Sequence, residues 1–374
     1  MLSRIVCLSI PFQRGSGLDN GLRSELILKR ITRTRVVIDQ IFFLGVAFVY
    51  MTLEQTVEAL RQHQLVALPT ETVYGLGALA TSEAAIQKVY EVKARPRDNP
   101  LICHFFDLAQ ITPFVEAPPV YWPHLVRAFS PGPVSYRLRL VPDSPLAPAV
   151  AGQDTVVVRI PDQPMCLEVL RQLQAPVAAP SANTSGKVSP TTASMVELDL
   201  GSRIAGVLDG GPCHYGLEST ILDCCEDTHI TILRPGAVGP DELRQVLVGC
   251  GMERVEVSYA EGAQVHVVPG SKYRHYAPDV KLVRVERVED LPLGRCVVLM
   301  SREQHSARRW SDEVTPVLLG ARTELPEVAR SLYQTLKSLD RYVGEKVYYL
   351  QEDWGMSSLG RAIHNRLVRA SAPA

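Results

Sequence analysis

The chain predicts an α/β fold in two successive units, a larger one over residues 51–248 and a smaller one over residues 280–374. Three observations predict it. From Leu65 onward, short apolar runs alternate with helix-period patterns, as strands covered by helices do. The alternation stops over residues 249–279, a polar, Gly-containing stretch, and then resumes. A length of 374 residues at 46% hydrophobic content is enough for two ordinary cores.

The first element is a helix after Met51. Thr52 and Gln55 have capping-box spacing, and Leu53, Val57 and Leu60 share one face. LVALP (65–69) reads as a strand and SEAAIQKVYEVK (82–93) as a helix with Ile86, Val89 and Tyr90 inward. Further strands are expected at 101–106, 134–140, 155–160, 176–180, 204–209, 219–223 and 229–233. VSYRLRL (134–140) alternates strictly, which predicts one wet face, whereas the other runs are nearly continuous in apolar residues. PDELRQVL (240–247) closes the larger unit as a helix with Pro240 in its first turn.

Residues 249–279 read as a linker, although its end, PGSKYRHYAPD, is too rich in aromatic and charged residues for a plain spacer. The smaller unit has strand patterns at 280–286, 296–300 and 346–350, and helical patterns at 324–341 and 357–370. That alternation is Rossmann-like, but no GxGxxG turn marks a dinucleotide site.

Composition excludes several classes. A formal net charge of −1 gives no electrostatic basis for a nucleic-acid scaffold or a membrane-surface binder. The apolar run Ile41–Met51 is too short to span a bilayer and carries no small-residue cleavage site. The eight cysteines lack CxxC spacing, so we expect reduced, mostly buried thiols in a cytoplasmic protein and no structural zinc. Residues 1–50 are atypical: Arg4, Arg14, Arg23, Lys29, Arg30, Arg33 and Arg35 outweigh Asp19, Glu25 and Asp39. The reading favoured from sequence is a start at Met51 with an over-extended frame upstream, the alternative being a loosely packed arm.

Polar clusters sit at the strand ends. LPTETVYGLG places Thr70 where it can bind a ligand or cap a turn. KARPRDNP brings Lys93, Arg95 and Asn99 together between stiffening prolines, and cations on a rigid loop suit phosphate. Lys93 follows Val89 by four and so leaves its helix on the inner side. His104 lies in an apolar strand and becomes functional only if it faces the same cavity as Thr70. Arg159, in TVVVRI, needs an anionic partner, from the protein or from a ligand. APSANTSGKVSP offers Ser181, Asn183 and Ser189, yet it lacks the Walker A pattern because Val188 follows Lys187. GLESTI contributes Ser219, and RPG places Arg234 at a strand end. There is no GxSxG elbow.

In this order, PTETVYGLG, KARPRDNPLICH, PGPVS, DTVVVRIP, APSANTSG, SPTTA, GLESTI, RPG and KYRHYAP resemble the threonylcarbamoyl-AMP synthase family in its two-domain form, over about Met51 to Pro278. The resemblance implies a YrdC-like catalytic domain with a twisted, open mixed sheet, followed by the smaller α/β domain. It implies formation of threonylcarbamoyl-AMP and pyrophosphate from L-threonine, bicarbonate or carbon dioxide, and ATP with Mg2+. The product passes to a transferase complex that modifies tRNA beside the anticodon, without direct tRNA binding by this chain.

Carried over by position, Thr70, His104, Arg159, Ala179 and Ser219 hold threonine. Arg95, Asn99, Thr155, Ser181, Asn183, Ser189 and Arg234 hold ATP, Lys93 and Arg95 act in catalysis, and Tyr273 folds back as a lid. No protein metal ligand is implied. The chain departs from the family pattern at Ser130, often Trp, at Ser135, usually Thr, and at Ser271, usually Met. Two other readings stay open at this level: an RNA-binding or regulatory protein of the same fold without synthase activity, and another carbamoyl-adenylate enzyme.

Overall fold

The computed structural model describes residues 49–261, 268 and 275–372. The reading of residues 1–50 therefore falls almost wholly outside the described residues, as does Tyr273 in the linker.

The larger unit is an open, mixed sheet of ten strands. Its elements run α1 (Leu53–Arg61), β1 (Val66–Leu68), β2 (Gly75–Leu79), α2 (Glu83–Lys93), β3 (Ile102–His104), α3 (Leu108–Ile111), α4 (Trp122–Phe129), β4 (Val134–Arg139), β5 (Thr155–Arg159), α5 (Pro164–Leu173), β6 (Val177–Ala178), α6 (Ala193–Leu200), β7 (Gly206–Val207), β8 (Thr220–Asp223), β9 (His229–Arg234), α7 (Pro240–Gly249) and β10 (Glu256–Tyr259). The strand order is β10-β9-β8-β4-β5-β3-β6-β2-β1-β7. Parallel pairs (β3 with β5, β4 with β8) alternate with antiparallel ones (β4 with β5, β3 with β6), so the sheet is mixed as expected.

The expected capping box opens α1: Gln55 N donates to Thr52 Oγ1, and Thr52 N donates to Gln55 Oε1 at 2.9 Å. Its inward residues Val57 and Leu60 join Val66, Leu68, Val169 and Leu170 in one apolar layer. A separate core, with Tyr74, Val89, Phe105, Tyr136 and Val158, contains side chains from β2 to β5 and from α2.

The structure differs from the sequence reading in several places, and it adds helices α4, α5 and α6 and, in the smaller unit, a strand at Val314–Leu318 that the reading did not include. β4 has no wet face along its length, because Ser135 is buried beside Ser219 and only its far end reaches solvent. Residues 256–259 are not linker: they form β10, which adds to the sheet edge in parallel with β9. β2 was hidden in LPTETVYGLG, where its glycines and lack of β-branching mask a strand. Gly75 needs its missing side chain, since a Cβ there would lie 3.1 Å from that of Ala179.

The smaller unit comprises β11 (Leu282–Val285), β12 (Cys296–Met300), α8 (Arg302–Ser306), β13 (Val314–Leu318), α9 (Leu325–Ser338), β14 (Val347–Leu350) and α10 (Ser358–Ala370). Its four strands are all parallel, in the order β11-β14-β12-β13. The apolar faces of α9 and α10 (Val328, Leu332, Leu336, Ile363, Leu367) pack with Val297, Leu299 and Tyr349 of the sheet. No described helix is long and apolar enough to cross a membrane.

Candidate active site

The site begins with strand register. His104 on β3 is the register partner of Arg159 on β5, and Arg159 in turn pairs with Ser135 on β4. Side chains at matched positions on neighbouring strands leave the sheet on the same face. His104, Arg159 and Ser135 therefore form a polar row across three neighbouring strands. The Ser135 hydroxyl then meets that of Ser219 at 2.8 Å, just before β8.

Above this row lies a cavity. Its lining includes Thr70, His104, Arg159, Ala179 and Ser219, and also Arg95, Ser181, Asn183, Ser189 and Arg234. These residues are spread over more than 160 positions of sequence, and strand order brings them to one place. His104 and Thr70 share it, which was the condition set for His104.

The local contacts explain how each group is held. Thr70 Oγ1 donates to Val73 O at 2.6 Å and accepts from Thr72 N and Val73 N, so it does cap the turn after β1. Arg159 finds a protein anion: Nη2 lies 2.6 Å from Glu71 Oε1, Nη1 donates to Thr72 Oγ1 at 2.9 Å, and Nε to Gly132 O at 3.3 Å. Each terminal nitrogen of a guanidinium carries two N–H groups, so Arg159 can still donate into the cavity.

Arg95 is clamped by its own loop, with Nη2 on Asn99 Oδ1 at 2.6 Å and on Pro100 O at 2.8 Å. Burial pulls its pKa down to about 10, which leaves it charged at neutral pH. Arg234 donates through Nε to Ser219 O and through Nη2 to Ser219 Oγ. Burial, and then the Arg159 charge, push the His104 imidazole down to about 3, so it is neutral under ordinary conditions.

Three sequence-selected residues are not on the cavity wall. Lys93 is fully buried behind it, and its ammonium donates to the carbonyls of Ser181 and Asn183. Burial and the nearby Arg95 lower its pKa well below the usual range. Asn99 buttresses Arg95. Thr155 stands at the opposite end of β5 from Arg159, where Arg137 donates to its hydroxyl at 3.2 Å. Ser130, in place of the larger aromatic, contacts the Tyr136 hydroxyl at 3.2 Å.

The cavity also gathers residues that the sequence reading did not select. His275 and Tyr276, from the end of the linker, line it, and Tyr276 holds a φ of +67°. Glu218 lines it too, and is bonded by Ser189, by Tyr333 on α9 and by Arg366 on α10. A sequence signal existed for Arg366. It follows Ile363 by three on an apolar helix face, and an arginine there demands a buried anion. On the cavity wall, Asn183 Oδ1 and His275 Nε2 are buried with no hydrogen-bond partner among the described residues. Buried polar atoms are rarely left so, and a polar ligand would supply partners.

Comparison with known proteins identifies the family. Residues 58–236 match the family described as "Telomere recombination", and residues 238–372 match "Threonylcarbamoyl-AMP synthase, C-terminal domain". The chain is 39% identical to the threonylcarbamoyl-AMP synthase of Bacillus subtilis, covering 85% of this chain and 92% of that protein. It is 37% identical to that of Pyrococcus abyssi, covering 83% and 92%. The crystal structure of the P. abyssi protein, Sua5, complexed with L-threonine superposes with a TM-score of 0.71 at 32% identity, over 85% of this chain and 94% of that one. The chain belongs to the threonylcarbamoyl-AMP synthase family, in its two-domain form.

Proposed function

We propose that the cavity binds L-threonine and ATP together and joins them, through carbon dioxide, into threonylcarbamoyl-AMP. The observation that carries this reading is the convergence on one cavity of Thr70, His104, Arg159 and Ser219 with Arg95, Ser181, Ser189 and Arg234. The first set suits a small zwitterion and the second a polyphosphate.

Arg159 receives the threonine carboxylate on the N–H groups that Glu71 and Thr72 leave over. Neutral His104, Thr70, Ser219 and the Ala179 backbone surround the rest of the amino acid. The threonine amine adds to carbon dioxide and loses a proton, giving a carbamate. A carbamate oxygen then attacks the α-phosphorus in line. The P–O bond to the β-phosphate breaks, and pyrophosphate carries the electron pair away. Such a displacement needs positioning and charge neutralisation rather than a covalent nucleophile.

Arg95 and Arg234 supply the positive charge from fixed positions. Lys93 acts one layer back, holding the carbonyls of Ser181 and Asn183 so that this loop is shaped for the nucleotide. Asn99 acts through Arg95. Thr155 has no place on the wall, and we assign it to holding Arg137. The acidic residue on the described wall, Glu218, is already engaged by Arg366, so the wall offers hydroxyls, guanidiniums, the Asn183 amide and the Lys187 side chain. That donor set fits ATP entering as its Mg2+ complex, with the ion held by phosphate oxygens and water. His275 and Tyr276 close the cavity from the linker side and exclude water from a labile adenylate.

The test is mass spectrometry of the reaction mixture. Threonylcarbamoyl-AMP should appear only when threonine, bicarbonate and MgATP are all present. Nucleotide hydrolysis without that product would contradict the proposal, and a folded protein with no nucleotide turnover would favour a binding or regulatory role.

A further inference from the structure

Glu218 joins the two units of the molecule. Its carboxylate lines the cavity and is buried. Ser189 donates to Oε1 at 2.7 Å from the cavity side. From the smaller unit, the Tyr333 hydroxyl approaches both oxygens, at 2.9 and 2.7 Å, and Arg366 Nε donates to Oε2 at 3.0 Å. Arg366 also donates through Nη1 to Pro235 O at 2.8 Å, the residue that follows Arg234. Arg366 itself is completely buried. Between the units lies Tyr276, stacked on Tyr333 at 5.6 Å and capped by the Arg366 guanidinium at 5.3 Å.

We propose that Glu218 is a positioning residue for the nucleotide side of the cavity, and that the smaller unit acts on the reaction by supplying, through Tyr333 and Arg366, the hydrogen bond and counter-charge that hold it. A buried carboxylate without such partners is costly. Held as it is, it fixes the Ser189 hydroxyl and balances Arg234 across the cavity. This inference rests on the assignment of Ser189 and Arg234 to ATP.

The groups facing Glu218 are Arg366 on α10, Tyr333 on α9, Arg234 on β9, and Tyr276 and His275 from the linker. Burial alone raises the carboxyl pKa, but the Arg366 and Arg234 charges, with hydrogen bonds from Ser189 and Tyr333, bring it below the usual carboxylate range. Without Arg366 the burial effect gains on the rest, and the carboxyl takes up a proton more readily as pH falls.

The test uses the full chain, wild type against Arg366→Met and Tyr333→Phe. It measures pyrophosphate release kinetics from pH 8 to pH 6, with ATP affinity by calorimetry on the same samples. Arg366→Met should raise the KM and Kd for ATP roughly tenfold, more so at pH 6 than at pH 8, with the KM for threonine moving much less. Tyr333→Phe keeps the ring against Tyr276 and removes only the hydroxyl. It should shift ATP binding in the same direction by roughly threefold. If Arg366→Met fails to fold, Tyr333→Phe decides. ATP binding equal to wild type in a folded variant at every pH would overturn the inference, and so would equal losses for threonine and ATP. A wild-type protein with no threonine-dependent turnover would contradict the proposed function instead, and calorimetry would still read the clamp.

Discussion

Arg159 and Glu71 form a buried ion pair, with 2.6 Å between Nη2 and Oε1 and both side chains only 5% exposed. Glu71 is supplied by the turn after β1, whose backbone Thr70 caps, and Arg159 by the end of β5. One pair thus ties the turn to the sheet and fixes the guanidinium that we assign to the threonine carboxylate.

The first prediction separates these two roles. Arg159→Met leaves Glu71 buried without its partner and should cost about 3–5 kcal/mol of stability, together with threonine binding. The double variant Arg159→Met/Glu71→Leu should recover most of the stability and none of the threonine affinity. Denaturant unfolding and threonine titration check this. A double variant that binds threonine normally would remove Arg159 from the site.

His104 makes stability depend on pH. Its folded pKa is about 3, against 6.5 for the free side chain. Between those values the unfolded chain binds a proton that the folded chain does not, so stability falls as pH drops from 6.5 toward 3. The slope from this residue is about 1.4 kcal/mol per pH unit. His104→Gln should flatten the wild-type curve by that amount over this window and change little above pH 7. Denaturant midpoints measured across pH for both proteins test it, and identical slopes would contradict it.

Lys93→Met should leave the protein folded but lower kcat/KM for pyrophosphate release roughly 100-fold, because the Ser181–Asn183 loop loses its internal anchor. The loss should not be rescued by added ammonium or alkylamines, since the ammonium braces backbone carbonyls behind the wall. Recovery with an exogenous amine would instead place the group at the reacting atoms.

The seam between the units is tight at Gly216. Its φ is +75°, and a Cβ would lie 2.5 Å from Arg330 Cα on α9. Gly216→Ala is thus strained in backbone and contact alike, and should lose about 1–3 kcal/mol and weaken ATP binding with it. Thermal unfolding and ATP calorimetry check both. A neutral substitution would show that the seam adapts.

Much of the site was legible because its chemistry sits in compact polar clusters at the ends of apolar strands, and an arginine or histidine inside such a strand stands out. The strands themselves followed from continuous apolar runs, as in TVVVRI. β2, β10 and β13 did not, because the first is glycine-rich and the other two are half-exposed edge strands with weak patterns. The clamp on Glu218 was hidden for another reason. Its partners Tyr333 and Arg366 lie 115 and 148 residues away in sequence, and only tertiary packing brings them there. Arg366 on an apolar face signalled a buried anion but could not identify which one. The distinction between lining and buttressing residues (Arg95 against Lys93 and Asn99) depends on side-chain direction, which spacing alone does not give.

The most direct test of the central claim is pyrophosphate release from MgATP by the full chain in bicarbonate buffer, with and without L-threonine, for wild type and Arg234→Ala. The account predicts release that requires threonine in the wild type and falls sharply in the variant. Release independent of threonine, or unchanged in Arg234→Ala, would contradict the claim that this cavity joins the two substrates.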